Sequence, residues 1–499
     1  MKIVIQRPLI KEGEGPVSKT PVNFVNEVFE VQLRPLEEAR NWFVLESIKA
    51  TGAALAPDDA SLAFIHKGFF DCHLHATWMG LRAGDLDLQH VEGVEDINRL
   101  VREKLAQGAK FVRGHGWDES KFGLTLDSMP RILEDLLPET VPVFLFRNCG
   151  HSAFANRLMR QKAGATTLGP LITDKDLNRF SDVLPIPSLA DCKEAFLWTQ
   201  ERLLKEGVTA IGEMSMDETL VHALKSVCET GELLLDVQGC FDAGRAPSVE
   251  TQGPLQCLNA GAVGPLDRKA LFQVKHWKRY LDGSFGSRTA WLTRSYEDFE
   301  SFGESLVGSD QLLLECRTAL QNGFHLSFHA IGDASLDQAL EMGDRLSKLM
   351  ESRRYSDAVL GHSVTRHRIE HGQLIRDDQL ERLARQNFWM LCSQPGHRVS
   401  DDRFIRSRLG SERARNWAYR AGALIESGVP VGLSSDAPID SYSPEHVIRS
   451  AMEHPVAREA LSFAEALWWY TTGSRLELGL QPGKIKVGST VYLSDPKNI

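Results

Sequence analysis

The chain has 499 residues, of which 42% are hydrophobic and 25% are charged, and its formal net charge at pH 7 is −10. This composition is typical of a soluble globular protein, and the length allows one barrel-sized domain with additions. The sequence contains no basic stripe and no uninterrupted apolar stretch that would span a bilayer, so neither nucleic acid nor a membrane is an expected partner. The eight cysteines are scattered without a Cys-x-x-Cys pair, and the first residues carry too short an apolar run for a signal peptide. We therefore expect a reduced, cytoplasmic protein.

The first part of the chain, residues 1–67, differs from the rest. It carries short β-like segments at Val28–Leu33 and Trp42–Leu45, and a further strand candidate, Gly488–Leu493, lies near the other end. Two small β segments that flank a larger domain could pair with each other. We therefore predict a small β side domain formed by residues 1–67 together with residues 484–499.

From about residue 68 onward, apolar and β-rich runs alternate with segments of helical periodicity. The predicted helices include Val94–Gln107, Cys192–Glu206, Asp310–Asn322 and Ser335–Glu351. The predicted strands are, in chain order, Gly68–His75, Phe111–Trp117, Val141–Asn148, Val208–Glu213, Leu233–Phe241, Leu271–Leu281, Leu326–Ile331, His367–His371, Trp389–Gln394 and Val429–Ser435. Such alternation favours a parallel sheet, whose strands are buried on both faces and read as nearly continuous apolar runs.

The predicted fold class is therefore α/β. Because the strand count slightly exceeds eight, we favour a (β/α)8 TIM-like barrel over residues 68–483 with an insertion at about residues 120–270. A doubly wound sheet is the alternative. The sequence contains neither a glycine-rich dinucleotide loop nor a P-loop to support it.

Five of the predicted strands end in residue types that bind metal ions. In chain order these residues are His73 and His75 together, then Lys278, His329, His371 and Asp436. His73 and His75 are two residues apart on one strand, so their imidazoles point to the same face about 7 Å apart. Catalytic residues of a barrel gather at the carboxyl ends of its strands, where all of these side chains would meet. We expect Asp71 to support the end of the first strand rather than to bind an ion.

Each of these residues alone also has an ordinary structural explanation. His329 or His371 could be a hydrogen-bonded core histidine, Asp436 a helix cap before Pro438, and Lys278 a lysine that extends along the surface. The combination favours a divalent metal site, because suitable residue types recur at equivalent positions of successive strands. A set rich in histidine suits zinc best, with other divalent metals open.

Several longer motifs around these residues resemble the amidohydrolase superfamily of metal-dependent hydrolases. They are Gly68–His75, Gly116–Glu119, Gly150–Ser152, Lys278 with Asp282–Ala290, Phe328–Asp333, Arg368–Gln373, Ser393–Pro395 and Ser434–Pro438. Within the superfamily, the sequence is most similar to the YtcJ-like branch, which includes N-substituted formamide deformylases. The resemblance extends from about residue 68 to residue 485.

The resemblance implies a binuclear site. It assigns His73, His75 and Asp436 to the more buried ion, His329 and His371 to the second ion, and Lys278, as its carbamate, to a bridge between them. A mononuclear site with an unmodified Lys278 is the alternative. The implied reaction is hydrolysis of a C–N bond, in an amide or a formamide-like group, by a metal-activated hydroxide. Asp436 would accept the proton of the water and pass it to the departing amine.

Six further residues are candidates for contact with the substrate. They are Trp117, Asp118, His151, Arg288, Gln394 and His397. Each has an ordinary alternative, such as core packing for Trp117, a helix cap for Asp118 or a surface salt bridge for Arg288. We expect a small-molecule substrate, and the sequence allows a homodimer. Two other functions stay open, namely a lyase or isomerase that uses the same metal site, and a catalytically silent metal-binding scaffold.

Overall fold

The computed structural model describes residues 1–8, 24–35, 42–55, 63–180, 183–244, 253–258, 270–351, 367–386, 388–477 and 490–494. The α-helices in these ranges are Ala76–Arg82, Val94–Ala106, Ser128–Leu136, Arg157–Lys162, Asp174–Leu177, Leu189–Lys205, Glu218–Glu229, Ser309–Gln321, Asp333–Glu351, Asp377–Gln386, Pro395–Asp401, Ile405–Asn416, Ala421–Glu426, Pro444–Met452, Phe463–Trp468 and Ser474–Glu477. Short 3-10 helices span Glu119–Phe122, Asn178–Phe180 and Ala457–Glu459, and a π-helical segment spans Trp469–Gly473. None of the described helices combines the length and the apolar composition that a bilayer crossing needs.

The main sheet contains eight parallel strands, each of which is hydrogen-bonded to the next one along the chain. We number them β1 (Phe69–Leu74), β2 (Val208–Met216), β3 (Asp236–Asp242), β4 (Leu271–Tyr280), β5 (His325–Ala330), β6 (His367–His371), β7 (Trp389–Ser393) and β8 (Val431–Leu433). A short strand, Leu255–Leu258, pairs antiparallel with β4. The order of the eight strands confirms the predicted α/β fold with a TIM-like barrel.

The two ends of this sheet, β8 and β1, meet through the residues that follow β8. The Asp436 N–H donates to the His73 carbonyl at 2.8 Å, and the His75 N–H donates to the Ala437 carbonyl at 2.8 Å. These two bonds bring the carboxyl end of β1 beside the loop after β8. Two of the predicted metal-binding segments are therefore neighbours at the seam of the barrel.

Between β1 and β2, the chain forms a second sheet. Its strands lie in the order Leu171–Thr173, Ser152–Ala155, Val143–Arg147, Val112–Trp117 and Leu86–Asp87. The predicted strands Phe111–Trp117 and Val141–Asn148 belong to this sheet, which explains why the predicted count exceeded eight. The insertion predicted at about residues 120–270 differs from this arrangement, because β2 and β3 lie inside that range. The strands Val112–Trp117 and Val143–Arg147 are mostly buried, as the barrel strands are, so a short apolar run does not show to which sheet it belongs.

Segments from both termini together form a small closed barrel. Its strands follow the order Lys2–Pro8, Phe24–Pro35, Trp42–Leu55, Thr490–Ser494 and Ala63–His66, and the last of these pairs with the first. Residues 484–489 and 495–499 of the predicted C-terminal segment lie outside the described residues. The pairing of Thr490–Ser494 with strands near the N-terminus ties the two ends of the chain together.

The largest apolar core lies between the barrel strands and the helices around them. Helix Leu189–Lys205 illustrates the packing, since Phe196 and Leu203 are fully buried in that core. Its N-terminus is fixed by a capping box, in which the side chains of Ser188 and Asp191 each accept from the backbone N–H of the other residue. The four helices predicted above are found within three residues of their predicted bounds.

Candidate metal centre

The barrel mouth brings together three buried side chains that can bind a metal ion. One ligand atom each of His73, His371 and Asp436 lies within 4.8 Å of the other two. His73 comes from β1, His371 from the end of β6, and Asp436 from the loop after β8. Strands that are distant in the chain thus deliver their last residues to one point, as expected for the carboxyl ends of a parallel barrel.

Asp436 is the centre of this group. Its Oδ1 lies 3.2 Å from His73 Nε2 and 3.3 Å from His75 Nε2, and its Oδ2 lies 3.5 Å from His397 Nε2. Asp436 Oδ1 and His397 Nε2 are both buried, and neither makes a hydrogen bond to another described residue. Ligand atoms that face one another without bonding fit a divalent cation between them. His73 and His75 therefore converge on one point, as their spacing predicts.

The backbone around the ligand residues holds this arrangement. Asp436 has a φ of 57° and His371 has a φ of 74°, a region that few residues other than glycine adopt. The Asp71 carboxylate accepts from the Ser435 N–H at 3.1 and 3.2 Å and from the Tyr470 hydroxyl at 3.0 Å. Asp71 thus supports the strand end, and that prediction is confirmed.

Two polar side chains orient the histidine rings from behind. Glu370 Oε2 accepts from His73 Nδ1 at 2.6 Å, and Gln394 Oε1 accepts from His371 Nδ1 at 2.8 Å. These bonds fix the tautomer that leaves each Nε2 free to bind a metal, as partners of metal-ligating histidines commonly do. Glu370 had no expected role from the sequence alone. The signal was its place in the Arg368–Gln373 motif, one residue before a predicted ligand.

Glu370 is itself held firmly in the barrel interior. Arg368 pairs with both of its oxygens, from Nε to Oε1 at 2.7 Å and from Nη2 to Oε2 at 2.9 Å. The Ser327 hydroxyl adds a bond to Oε1 at 2.6 Å. Burial raises the pKa of Glu370, but Arg368 and His73 outweigh burial and hold that pKa well below its usual range. A charged carboxylate therefore stands behind the His73 ring.

The charge states of the central group suit metal binding. Burial lowers the pKa of His75 to about 4 and lowers the pKa of His371 well below its usual value, so both imidazoles are neutral near pH 7. Burial raises the pKa of Asp436, but the adjacent His73 outweighs burial, and the pKa lies well below its usual range. Neutral imidazoles and an ionised carboxylate are the forms that bind a cation.

Lys278 lies beside the group on β4 and is 1% exposed. Its Nζ lies 3.5 Å from His73 Nε2 and 4.9 Å from the ring centroid of Tyr280. Burial lowers the pKa of Lys278, but the neighbouring Tyr280, Glu370 and Asp436 outweigh burial and raise it. The residue predicted to bridge two ions, Lys278, therefore lies beside the predicted ligand His73.

His329 adjoins the group from β5. Its ring centroid lies 4.5 Å from that of His371, and its Nε2 lies 3.1 Å from the carbonyl oxygen of Gly283. The loop after β4 is fixed there by Asp282, whose carboxylate accepts from the backbone N–H groups of Ile331 at 3.0 Å and Gly332 at 2.8 Å. Asp282 is a second residue without an expected role from the sequence, although it begins the Asp282–Ala290 motif. It joins the ends of β4 and β5.

Three of the predicted substrate contacts lie at the barrel mouth. Gln394 and His397 touch His371 and Asp436, as described above. The ring centroid of His151 lies 4.9 Å from that of His329, and its Nδ1 lies 2.6 Å from Asp174 Oδ1. Burial lowers the pKa of His151, but Asp174 outweighs burial and raises it to about 9. His151 is thus a cationic group at the edge of the site.

The structure does not bring Trp117 to this group. Trp117 is fully buried in the core of the second sheet, and its indole N–H donates to the Leu145 carbonyl at 2.8 Å. Its side chain fills an apolar core between strands.

Two charged residues from the predicted substrate shell are engaged in ion pairs. Asp118 is 1% exposed and lies 3.0 Å from Arg403 and 3.6 Å from Arg147. Arg288 lies 3.3 Å from Asp298 and 3.6 Å from Asp127. The pairs of Arg288 are the ordinary alternative named above, and Asp118 also fills its own, because it caps the 3-10 helix Glu119–Phe122 by accepting from the Ser120 N–H. Contact of either residue with substrate stays a prediction.

Comparison with known proteins identifies the family. A family model described as "Amidohydrolase family" matches residues 67–490. The protein YtcJ of Bacillus subtilis (strain 168), named as an amidohydrolase, is 26% identical over 471 residues, which cover 86% of this chain and 80% of YtcJ.

Two solved structures are similar over almost their whole length. An uncharacterized metal-dependent hydrolase from Pyrococcus furiosus has a TM-score of 0.65 at 27% identity, covering 99% of this chain and 97% of that one. An uncharacterized metal-dependent hydrolase from Pyrococcus horikoshii OT3 has a TM-score of 0.67 at 25% identity, covering 91% and 94%. Because the family model spans most of the sequence and the barrel carries the matching motifs, the chain belongs to the amidohydrolase family of hydrolytic enzymes.

Proposed function

We propose that this protein is a metal-dependent hydrolase that cleaves a C–N bond in a small-molecule amide or formamide-like substrate. The observation that carries the proposal is the buried group of His73, His371 and Asp436, whose ligand atoms face one another within 4.8 Å. Membership of the amidohydrolase family supports hydrolysis, and the two similar Pyrococcus structures, both named as metal-dependent hydrolases, support the metal.

The residues fit a divalent ion, and zinc suits this donor set best, because imidazole nitrogens dominate it. His73, His75, His371 and Asp436 would hold the ion. A bound divalent ion lowers the pKa of a water molecule and polarises a substrate carbonyl. Glu370 and Gln394 keep the two ligand rings turned toward the ion.

Asp436 is the group that we expect to move the proton. It is ionised and buried, and its Oδ1 accepts no hydrogen bond from a described residue. During hydrolysis, a water proton passes to Asp436 while the water oxygen forms a bond to the acyl carbon. As the C–N bond breaks, Asp436 returns that proton to the nitrogen, because an amine leaves only when it is protonated.

We further propose that Lys278 carries a carbamate. A neutral amine and carbon dioxide form a carbamate and release one proton, which converts a poor ligand into one with two anionic oxygens. Within the described part of the chain, Lys278 Nζ has no carboxylate at hydrogen-bond distance, and a buried charge without an opposite charge is unfavourable. The modification would place an anion between the sites of His73 and His329. A bare amine on Lys278 in a crystal of the metal-loaded protein would refute it.

The first experiment measures bound metal and turnover together. The purified protein, reconstituted with zinc, is assayed against a panel of N-formyl and N-acyl amines. We expect at least about one tightly held ion per chain and release of the amine by some members of the panel. Less metal than this, or no hydrolysis of any C–N bond in the panel, would contradict the proposal.

Asp436→Asn then tests the proton transfer. We expect the variant to retain metal and to lose turnover by about 100-fold or more, because it cannot accept a proton. Asp217→Asn is the matched control. Asp217 caps helix Glu218–Glu229, and asparagine caps a helix equally well. Wild-type activity in Asp436→Asn would remove Asp436 as the proton carrier.

A further inference from the structure

A buried arginine close to the metal centre has no ionic partner among the described residues. Arg82 ends the helix Ala76–Arg82, which begins at the residue after His75. It is 6% exposed, and its Nη2 is buried and makes no hydrogen bond to any described residue. Buried charges are normally paired, so an unpaired guanidinium points to an anion that the protein itself does not supply.

The nearest carboxylate along the chain is already committed to another cation. Both carboxylate oxygens of Asp85 accept from the single Nε–H of Arg113, at 2.9 Å to Oδ1 and at 2.8 Å to Oδ2. In the described part of the chain, no carboxylate lies within ion-pair distance of Arg82. Its charge therefore stays available to a ligand.

Arg82 lies one aromatic layer away from the reaction site. Its Cζ lies 3.7 Å from the ring centroid of Trp78 and 5.8 Å from that of Phe146. The Trp78 ring also lies next to the metal centre, because its centroid is 5.7 Å from that of His75. One indole thus separates the guanidinium from a predicted metal ligand.

The electrostatics agree with this placement. Burial lowers the pKa of Arg82 to about 10, against the raising effects of Asp85 and Asp436. Arg82 therefore stays protonated near pH 7, and it lies near enough to Asp436 to feel the charge of that carboxylate. The charges of the Arg82 guanidinium and of Asp436, the proposed proton carrier, therefore interact.

We propose that Arg82 binds a carboxylate of the substrate, so that the enzyme acts on N-acyl compounds that carry a carboxylate, such as N-acylated amino acids. This inference rests on the proposed C–N hydrolysis and names its substrate class. The planar guanidinium matches a carboxylate through two parallel hydrogen bonds. Trp78 and Phe146 offer apolar surface to the part of the substrate between its carboxylate and its scissile bond. The distance spanned by one indole suits a carboxylate a few bonds from the reacting carbonyl.

The kinetic test compares charged substrates with their uncharged analogues. N-formyl and N-acetyl derivatives of glycine, leucine and phenylalanine, in both configurations for the last two, are assayed beside their C-terminal carboxamides. We expect the zinc-loaded wild type to prefer the carboxylates by about 10- to 100-fold in kcat/KM, the usual size of a charge-assisted hydrogen bond. Arg82→Met should reduce this preference to within about threefold and retain activity on the carboxamides.

The chain offers a matched control in Arg202→Met. Arg202 lies on helix Leu189–Lys205 four residues after Trp198, with its Cζ 3.4 Å from the indole centroid. It therefore repeats the Trp78–Arg82 stack, but on the outer side of a helix, where Trp198 is 37% exposed. This control should keep the wild-type preference. No preference in the wild type, or an equal preference in Arg82→Met and Arg202→Met, would overturn the inference.

A binding measurement separates failure of this inference from failure of the proposed function. Calorimetry with the metal-free protein compares N-acetylphenylalanine with its carboxamide, so that no turnover is needed. We expect the wild type to bind the carboxylate at least about tenfold more tightly and Arg82→Met to lose this difference. If the loaded enzyme hydrolyses no C–N substrate but this difference is found, the proposed function fails and the anion site stands. Absence of the difference in the wild type refutes the anion site.

Discussion

Glu370→Gln tests whether the metal centre depends on a residue that does not itself face the metal. Glu370 accepts from His73 Nδ1 at 2.6 Å and so leaves Nε2 as the free ligand atom. Glutamine keeps nearly the same volume but loses the charge. Partners of metal-bound histidines are worth about 10- to 100-fold in metal affinity, so we expect a loss of about 1.4–2.7 kcal/mol in metal binding.

The same substitution should lower stability, because Arg368 is 0% exposed and would lose its carboxylate. Its bond to the Cys72 carbonyl, at 2.6 Å, remains. Breaking a buried ion pair costs about 3–5 kcal/mol. Competition with a chelator measures metal affinity, and urea unfolding of the metal-free protein measures stability, so the two effects are read separately.

Ser327→Ala is the matched control for Glu370→Gln. It removes the 2.6 Å hydrogen bond to Glu370 Oε1 but leaves the charge in place. We expect a loss of about 1–3 kcal/mol in stability and a metal affinity within about threefold of the wild type.

Gln394→Leu applies the same test to the ring of His371 without removing a buried charge. It removes the acceptor of His371 Nδ1, and metal affinity should fall about tenfold. If Glu370→Gln and Gln394→Leu both bind metal as tightly as the wild type, the orientation of the ligand rings does not depend on these bonds, and the reasoning is refuted.

Two further predictions concern residues away from the metal ligands. Burial lowers the pKa of His66 to about 4. Since the unfolded chain takes up a proton below about pH 6.5 and the folded His66 does so only near pH 4, stability should fall by up to about 3 kcal/mol as the pH drops through this range. His66→Gln should flatten the pH dependence of urea unfolding, and equal slopes for the two proteins would contradict the assignment. Trp117→Phe removes the indole bond to the Leu145 carbonyl and should cost about 1–3 kcal/mol of stability with KM unchanged. A changed KM at unchanged stability would instead place Trp117 in contact with substrate.

Local sequence pattern predicted the barrel strands well. β6 has the predicted bounds His367–His371, and β2 begins at the predicted Val208. Parallel strands are buried on both faces, so each one is a short apolar run between turns, and a polar residue at its end stands out. This contrast is why His73, His329 and Asp436 could be singled out before their neighbours were known.

Contacts between distant segments could not be predicted in this way. Glu370 and His73 are 297 residues apart in the chain, and their bond depends on how β6 and β1 face each other across the barrel. The position of Trp117 depends in the same way on distant contacts, because the sequence of its strand, Val112–Trp117, does not show that this strand belongs to the second sheet. Arg82 lies in an ordinary helical sequence, and it is distinguished only by its burial without an ionic partner in the described part of the chain.

The barrel seam and the metal centre depend on the same hydrogen bonds. Asp436 has a φ of 57°, which costs a residue other than glycine on the order of 1–3 kcal/mol. The bond from the Asp436 N–H to the His73 carbonyl and the bonds from the Ser435 N–H to Asp71 offset this cost. These bonds also join β8 to β1. The hydrogen bonds that close the barrel are therefore the ones that place Asp436 beside His73. The positions of the ligand atoms therefore depend on the hydrogen bonds that close the main sheet.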